Sequence, residues 1–384
     1  MSRVAFINGY IFNSDSEAFD RASVLCENGT IADITTGDVP SGYEIIDLDG
    51  KYLIPGLIDV HTHGLGGLDF NFASAEQIEH MRQIYAKMGT TSFMATLASD
   101  TFERWQKSVH AIDENRSFKS GHANIIGIHL EGRYLNPDMK GAHALELLAN
   151  PNAHELEVLC PDMLPLPIHA SIAPEVEGGD EFIKKANELG VTVGIAHTNA
   201  TYEQALHATE LGARSFTHTY NAMTKIHHRT PGATVAALTC DGAYAELISD
   251  GYHSHPAMVK LAYKAKPSDR LVLITDSIAL ACTDEGFTSD VAGISVSIKG
   301  GVAVNKFGVI AGSTLTMFKA LKNFMSFCGI SLCEAIKYAT TNPANMIKAS
   351  GIGKIAPSYS ADFIVINDID NPEIDTVYLG GERV

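Results

Sequence analysis

The chain of 384 residues is 45% hydrophobic and 19% charged, an ordinary composition for a folded protein with one large and one small domain. Its formal net charge of −17 disfavours nucleic acid or an anionic membrane as the main partner. No apolar stretch reaches transmembrane length, the first residues lack the regions of a signal peptide, and the six cysteines contain no Cys-x-x-Cys pair. We therefore expect a cytoplasmic protein with reduced thiols.

Both ends of the chain have the pattern of short strands. Near the start, apolar segments are separated by Asn8-Gly9 and Asn28-Gly29, dipeptides typical of hairpin turns. Near the end, the runs 361–366 and 376–379 have the same pattern. We predict that residues 1–50 and 356–384 together form a small β-sandwich domain, and that residues 51–355 are inserted between them as a second domain.

After residue 51, apolar runs of strand length alternate with segments of helical period. The predicted strands are Tyr52–Val60, Thr91–Leu97, Asn124–Leu130, Ile168–Ala173, Val191–Ala196, Ser215–Thr217, Ala245–Ser249 and Leu271–Thr275. The predicted helices are 74–88, 100–115, Asp180–Leu189, Tyr202–Leu211, Pro256–Ala265, Met317–Phe327 and Leu332–Ala339. Eight βα repeats over about 250 residues indicate an α/β fold with a (β/α)8 TIM barrel.

Side chains with metal-binding chemistry follow five of these strands. The active site of such a barrel lies where the strands end. The residues found there are His61 and His63, Glu131, His197, His218 and Asp276. Because side chains alternate along a strand, the two histidines of the His-x-His pair can point to the same side. Imidazoles and carboxylates that converge on one rim predict a divalent transition-metal site, and zinc or iron suits these ligands.

A series of motifs in this chain resembles the N-acetylglucosamine-6-phosphate deacetylases of the amidohydrolase superfamily. The matching segments are His129–Gly132, Lys140–His143, Ala196–Ala200, Thr217–Met223, Arg229–Gly232, Asp250–His253, Thr275–Asp276 and Ala311–Met317. They span nearly the whole chain in the family's order. The resemblance implies hydrolysis of the acetamide of N-acetylglucosamine 6-phosphate to glucosamine 6-phosphate and acetate, in amino sugar catabolism.

The resemblance also implies roles for individual residues. Metal-ligand positions are matched by Glu131, His197 and His218, and His61 and His63 are retained where some members lack them. Asp276 matches the catalytic acid/base. Substrate-binding positions are matched by His143, Asn221, Ala222, Arg229 and His253. We expect one or two divalent ions per subunit, zinc above iron, manganese or cobalt, and a homodimer in which one subunit completes the other's phosphate site.

Elementary chemistry agrees with these roles. An ionised Asp276 can accept the proton of the attacking water and return it to the leaving nitrogen. His143 could donate to the developing oxyanion. Arg229 offers a planar fork that matches two phosphate oxygens, and Lys225, His227 and His228 make its surroundings basic.

The chain departs from the family pattern at three positions. Arg133 stands where the family usually has proline, Thr198 replaces a common serine, and Thr230 replaces a glutamate. Arg133 is two residues from the expected metal ligand Glu131, so it could add a positive contact or point to solvent.

Other functions remain open at this point. The residues do not separate N-acetylglucosamine 6-phosphate from the galactosamine epimer, which differs at one hydroxyl. A cyclic amidase would use a carboxylated lysine after the fourth strand, and Ile168–Glu175 contains no lysine. A nucleoside-type deaminase and a metal-free barrel that acts as an interaction protein are further alternatives; the sugar-phosphate motifs and the retained ligands speak against them.

Overall fold

The structure is a computed structural model that describes residues 3–163, 167–291, 294–306, 308 and 310–384. The strands near the start are β1 (Arg3–Asn13), β2 (Ala18–Glu27), β3 (Thr30–Thr35), β4 (Glu44–Asp47) and β5 (Tyr52–Pro55). The middle contributes β6 (Leu57–Thr62), β7 (Gly64–Leu65), β8 (Leu68–Asp69), β9 (Thr90–Leu97), β10 (Asn124–Glu131), β11 (Ile168–Ile172), β12 (Thr192–Ile195), β13 (Ser215–Phe216), β14 (Tyr244–Ile248) and β15 (Leu271–Ile274). The remaining strands are β16 (Thr288–Val291), β17 (Ile294–Lys299), β18 (Val302–Asn305), β19 (Phe363–Ile366), β20 (Ile374–Leu379) and β21 (Glu382–Arg383).

Helices occupy most of the segments between the central strands. They are α1 (Ala75–Lys87), α2 (Phe102–Glu114), α3 (Ala153–Met163), α4 (Gly179–Glu188), α5 (Tyr202–Glu210), α6 (Ala233–Thr239), α7 (Pro256–Ala265), α8 (Met317–Cys328), α9 (Leu332–Ala335) and α10 (Thr341–Met346). Short 3-10 helices cover Pro137–Met139, Leu145–Leu147 and Ile336–Ala339. The predicted capping box at Ser74 opens α1, whereas α2 is capped by Thr101 rather than by Asp100. No helix among the described residues is long and apolar enough to cross a membrane.

Eight parallel strands form the predicted barrel. They lie side by side in the order β15-β14-β13-β12-β11-β10-β9-β6, which is their order along the chain. The first barrel strand, β6, and the last, β15, meet at a junction that we call the seam. There the N–H of His63 donates to the carbonyl of Ser277 at 2.7 Å, and the N–H of Asp276 donates to the carbonyl of His61 at 2.9 Å. The sheet is therefore nearly closed, and the carboxyl ends of all eight strands meet at one rim. The predicted fold class is confirmed.

A buried carboxylate stabilises the seam from inside the barrel. Asp59 is 1% exposed, and its Oδ2 accepts a hydrogen bond from the hydroxyl of Thr275 at 2.5 Å. Its Oδ1 accepts from the backbone N–H groups of His61 and Thr275, both at 3.3 Å. Burial raises the pKa of Asp59 to about 6, although these hydrogen bonds oppose the rise. Asp59 holds the first and last barrel strands together, directly below the rim.

The first predicted strand, Tyr52–Val60, is divided in the structure into two strands. β5 pairs with β1 and β19 in the terminal sheet, whereas β6 pairs with β9 in the barrel. The break falls at Gly56, where a Cβ atom would lie 2.1 Å from Oγ1 of Thr91, so no larger residue fits. One apolar run therefore supplies a strand to each sheet, because hydrophobicity alone does not mark a change of sheet.

The strands at the two ends of the chain form one sheet. Its order is β21-β20-β19-β5-β1-β2-β3, and β4 pairs with β1. The edge strand β3 approaches the segment that precedes β19, since the N–H of Ile31 donates to the carbonyl of Tyr359 at 2.8 Å. The sheet thus folds over an apolar core that includes Phe6, Val24 and Phe363. The division into domains at residues 51 and 356 stays a prediction.

Several elements were not predicted. α6 is buried over most of its surface, so its sequence has no polar face from which a helical period could be recognised. α3 and α10 were also missed, as was the antiparallel group β16–β18 between the last barrel strand and α8.

Candidate active site

The rim of the barrel brings the predicted metal ligands together. They are His61, His63, Glu131, His197, His218 and Asp276. The first five are buried, and the side chain of Asp276 is 13% exposed. They divide into two groups that share Glu131, and we call these groups the seam half and the far half.

The seam half consists of His61, His63 and Asp276 with Oε2 of Glu131. The Nε2 atoms of the two histidines are 3.3 Å apart. Oε2 of Glu131 lies 3.4 Å from Nε2 of His61 and 2.9 Å from Nε2 of His63. Oδ1 of Asp276 lies 3.4 Å from both nitrogens. One ligand atom from each of the four residues lies within 4.8 Å of all the others, a separation suited to one metal ion.

The far half consists of His197 and His218 with the other oxygen of Glu131. Nε2 of His218 lies 2.8 Å from Oε1 of Glu131, and Nε2 of His197 lies 3.4 Å from the same atom. The two imidazole nitrogens are 3.1 Å apart. The ring of His197 is oriented from behind, because its Nδ1 lies 2.8 Å from the carbonyl of Met139 and can donate to it.

These residues fit a divalent metal. In each half, two imidazole nitrogens face one another and the same carboxylate oxygen, an arrangement in which lone pairs converge on one point. Imidazole and carboxylate together suit a divalent transition metal. Glu131 offers one oxygen to each half, so its position between them allows a carboxylate shared by two ions.

Three of the predicted metal ligands share a left-handed backbone conformation, which the strand pattern of the sequence does not predict. His197, His218 and Asp276 each lie two residues beyond the end of a barrel strand, β12, β13 and β15 respectively. Their φ angles are 42°, 33° and 50°. A non-glycine residue rarely adopts this left-handed conformation, and it is concentrated at functional sites. The abrupt turn in the backbone helps to place these side chains in the centre.

Both carboxylates of the centre are ionised at neutral pH. Burial by itself raises the pKa of Glu131, but the charge of His61 and the hydrogen bonds from His197 and His218 hold it well below its usual range. Burial also opposes ionisation of Asp276, yet His61 and His63 hold its pKa at about 2. Each group is therefore available as a ligand or as a proton acceptor.

His143 lies beside the cluster as a neutral imidazole. Burial and the neighbouring His197 lower its pKa to about 3. Its Nδ1 accepts a hydrogen bond from the backbone N–H of Ser99 at 3.4 Å, so the proton of the neutral ring is on Nε2. That atom lies 3.9 Å from Oε2 of Glu131. His143 therefore offers an N–H donor next to the centre.

A cavity of about 360 Å³ opens onto this cluster. The predicted site residues on its wall are His63, Glu131, His143, His197, His218, Asn221, Ala222, His253 and Asp276. Tyr252, Ile278 and Gly312 also line it and were not predicted. Tyr252 is 57% exposed, so it lies where the cavity meets solvent.

His253 on the cavity wall has a carboxylate partner that sequence reasoning did not single out. Its Nδ1 lies 2.6 Å from Oδ2 of Asp250, and Oδ1 of Asp250 accepts from the backbone N–H of His253 at 2.8 Å. Burial lowers the pKa of His253, but Asp250 outweighs it and raises the pKa above its ordinary value. The spacing Asp250-x-x-His253 was the available signal, and it places a cation-forming pair on the wall.

Arg229 is not on the cavity wall of this single chain. It belongs to the exposed segment 225–230, in which Ile226 is 46% exposed. The backbone N–H groups of Arg229 and Thr230 donate to Nδ1 of His227 at 3.4 and 3.2 Å, so this segment is shaped by local hydrogen bonds. The structure brings together every other predicted substrate-binding residue, but not this one.

Arg133 neither points freely to solvent nor reaches the cavity. Its guanidinium forms a two-pronged ion pair with Glu155, at 3.2 and 3.1 Å, and donates to the carbonyl of Asp100 at 2.8 Å. Its Cζ lies over the ring of Trp105, 5.8 Å from the ring centroid. Arg133 therefore ties the loop after β10 to α3, a partner that was not foreseen because α3 itself was not predicted.

Comparisons with known proteins agree with this geometry. Residues 52–384 match the family model described as the amidohydrolase family. An N-acetylglucosamine-6-phosphate deacetylase of Lysinibacillus sphaericus is 32% identical over 352 residues, which is 91% of this chain and 90% of that protein. An N-acetylgalactosamine-6-phosphate deacetylase of Escherichia coli O157:H7 is 32% identical over 329 residues, 85% of this chain and 87% of that protein.

Solved structures lead to the same family. The crystal structure of N-acetylglucosamine-6-phosphate deacetylase from Pasteurella multocida superposes with a TM-score of 0.91 at 29% identity, covering 100% of this chain and 99% of that one. A Mycobacterium smegmatis N-acetyl-D-glucosamine-6-phosphate deacetylase variant, in complex with N-acetyl-D-glucosamine-6-phosphate, superposes with a TM-score of 0.90 at 26% identity, covering 100% and 99%. This chain therefore belongs to the amidohydrolase family, and within it to the group of N-acetylglucosamine-6-phosphate deacetylases.

Proposed function

We propose that this protein hydrolyses the acetamide of N-acetylglucosamine 6-phosphate and releases glucosamine 6-phosphate and acetate. The observation that carries the proposal is that the cluster around Glu131 opens into one cavity, whose wall also presents His143 and His253. That wall combines ligand atoms, a neutral N–H donor and a cation-forming pair, the groups that an amide with a phosphorylated sugar requires. Relatives that carry this activity by name cover nearly the whole chain.

The metal centre is part of the proposal. His61, His63 and Asp276 would hold an ion in the seam half. His197 and His218 would hold an ion in the far half, and Glu131 would contribute an oxygen to each. We propose zinc, because imidazole and carboxylate ligands in a compact buried site suit it, with iron, manganese or cobalt as substitutes. Such an ion polarises the amide carbonyl and makes water more acidic.

The side chains of this chain supply the proton transfers. Asp276, ionised and beside the centre, takes the proton of the attacking water and passes it to the nitrogen as the C–N bond breaks. His143 donates from Nε2 to the amide oxygen as negative charge develops there. Its low pKa keeps that nitrogen a neutral donor across the working range of pH.

The sugar phosphate would be held at the open end of the cavity. Asn221, Ala222 and His253 are the wall residues that we assign to it. Arg229 is exposed and off the wall, so we propose a homodimer in which the partner subunit supplies or receives this segment at the phosphate. We also propose a cytoplasmic location. The five cysteines whose side chains the structure describes are free thiols, which supports this location.

The galactosamine epimer is the second candidate substrate, since a relative with that activity by name is 32% identical. Acetate release from both N-acetylhexosamine 6-phosphates and from both unphosphorylated sugars tests the proposal, with zinc, iron and manganese each added to metal-free protein. We expect the highest kcat/KM on N-acetylglucosamine 6-phosphate with zinc. A higher kcat/KM on the galacto epimer would reverse the assignment of substrate, and no acetate from either would contradict the activity.

A further inference from the structure

A layer of polar side chains lies inside the barrel below the metal centre. TIM-barrel interiors are ordinarily filled by branched apolar residues. Here His129, His169, Ser171, Ser215 and Glu246 are fully buried in the barrel strands. A buried carboxylate is costly unless its oxygens are paired, so Glu246 in particular calls for a function.

The two oxygens of Glu246 have different surroundings. Oε1 accepts a hydrogen bond from the hydroxyl of Ser215 at 2.8 Å, and Nε2 of His169 lies 3.5 Å from it. Oε2 faces upward to Nδ1 of His61 at 3.6 Å. Within the part of the chain that the structure describes, neither of these last two atoms has a hydrogen-bond partner, and both side chains are 0% exposed. Two unpartnered buried atoms, an acceptor and a ring nitrogen, therefore face each other.

The separation of 3.6 Å is just beyond hydrogen-bond distance, so a proton on Nδ1 of His61, with a slight approach of the ring, would satisfy both atoms. The ring would then donate to Oε2 of Glu246, and its Nε2 would keep a free lone pair. That Nε2 is the atom directed at the seam half, 3.4 Å from both Glu131 and Asp276. A carboxylate behind a ligating imidazole fixes the tautomer, orients the ring and raises its basicity.

The far half has no carboxylate behind its imidazoles. Behind His197 stands the neutral carbonyl of Met139 at 2.8 Å from Nδ1, not a carboxylate. The Nδ1 atoms of His63 and His218 have no hydrogen-bond partner among the described residues. His61 is thus the ligand whose ring faces a buried anion on its far side.

We propose that Glu246 is a positioning residue that holds His61 in the Nε2-ligating tautomer and so sets the metal affinity of the seam half. This inference rests on the proposed metal centre and on no choice of substrate. Glu246 lies in β14 within the apolar run Tyr244–Ile248, and a lone charge in a buried strand is the sequence signal for it.

The test measures zinc binding by equilibrium dialysis against a competing chelator, with metal content as the readout. The parent should bind two ions. Glu246→Leu removes the acceptor and should weaken the binding of one ion by about 10–100-fold, the usual cost of losing such a partner. Glu246→Gln keeps an oxygen that can accept from Nδ1 but lacks the charge, so its loss should be smaller.

Thr192→Val is the matched control. Thr192 lies in the same layer and contacts Nδ1 of His169 at 2.9 Å. The structure records no hydrogen bond or ion pair from it to Glu246 or to a ligand of the centre within the described residues. This variant should bind both ions as the parent does. An equal loss in Thr192→Val would mean that any damage to the layer loosens the centre, which would overturn the inference.

A double-mutant cycle makes the assignment specific. In a His61→Asn background, Glu246→Leu should cause no further loss, because the group it supports is already gone. Losses that add in full would overturn the role assigned to Glu246.

If Glu246→Leu does not fold, Glu246→Gln decides, and a zinc affinity within about twofold of the parent overturns the inference. If the parent binds no zinc, the proposed metal centre itself is contradicted. If the parent binds two ions and the Glu246 variants bind them equally well, only the role of Glu246 is contradicted.

Discussion

The two halves of the centre are built by different means. The seam half takes His61 from β6, His63 from the position directly after that strand, and Asp276 from two residues beyond β15, and backbone hydrogen bonds of 2.7 and 2.9 Å hold these segments together. The far half takes His197 and His218 from positions 21 residues apart, both in left-handed backbone conformations. Both imidazoles of the far half therefore lie in strained turns, whereas in the seam half only Asp276 does, with a φ of 50°.

This difference shows two ways in which one barrel rim can bring imidazole and carboxylate groups together. Regular strand geometry places two imidazoles on one side without strain. Ligands after the strands need an unusual φ at each position, and the surrounding structure must stabilise it. Glu131 belongs to both halves, since its two oxygens face different halves.

The largest expected effect comes from changing the proton carrier of the seam half without changing its shape. Asp276→Asn should fold normally and bind substrate with similar affinity, while kcat falls by about 10²–10⁴, since asparagine cannot carry the proton. Steady-state kinetics, substrate affinity and metal content should be measured together. If excess metal restores the rate, Asp276 is chiefly a ligand; a kcat within a few-fold of the parent would remove it from catalysis altogether.

Next comes the group that both halves share. Glu131→Gln should weaken the binding of both ions by more than about 100-fold. Removing a residue that only hydrogen-bonds to a ligand already lowers metal affinity by about 10–100-fold, and Glu131 is itself a proposed ligand. Metal content after dialysis gives the measurement. Full retention of metal and activity would show that the ligand assignment is wrong.

A third change lies outside both halves and separates binding from chemistry. Arg229→Ala should raise KM for the phosphorylated sugar by about 10–150-fold, the equivalent of a charge-assisted hydrogen bond of about 1.5–3 kcal/mol. The rate on the unphosphorylated sugar should scarcely change. Kinetics on both substrates provide the check, and equal losses would assign Arg229 a structural role.

The smallest expected effect distinguishes the halves directly. His61→Asn combined with His63→Asn should remove the seam ion and leave the far ion, so metal content falls about twofold. Metal analysis and activity are measured on the same sample. Retained activity would show that the seam ion is dispensable, and loss of both ions would contradict the independence of the two halves.

Much of the fold was predictable because the signals are local. Seven of the eight barrel strands were found as single strands, since buried parallel strands read as short apolar runs. The strand-end rule then identified the six residues that the rim brings together, from His61 to Asp276. Helices with caps and amphipathic faces were found, while the largely buried α6 was not.

The remainder depends on contacts between segments far apart in the chain. Gly56, where the predicted strand divides, lies too close to Thr91 for a side chain, and the partner of Arg133 is Glu155 on a helix that was not predicted. Whether a ring nitrogen of His61 faces a buried carboxylate 185 positions away depends on how the barrel closes.

The sequence by itself therefore determined the kinds of elements, their order and the chemistry at the strand ends, because periodicity and residue type are properties of short segments. Only the tertiary structure decided which oxygen of Glu131 faces which half, which ring nitrogen of His61 faces Glu246, and that Arg229 lies off the cavity wall of a single chain. Those outcomes depend on distances of a few ångströms between residues from different strands, and no local pattern encodes such distances.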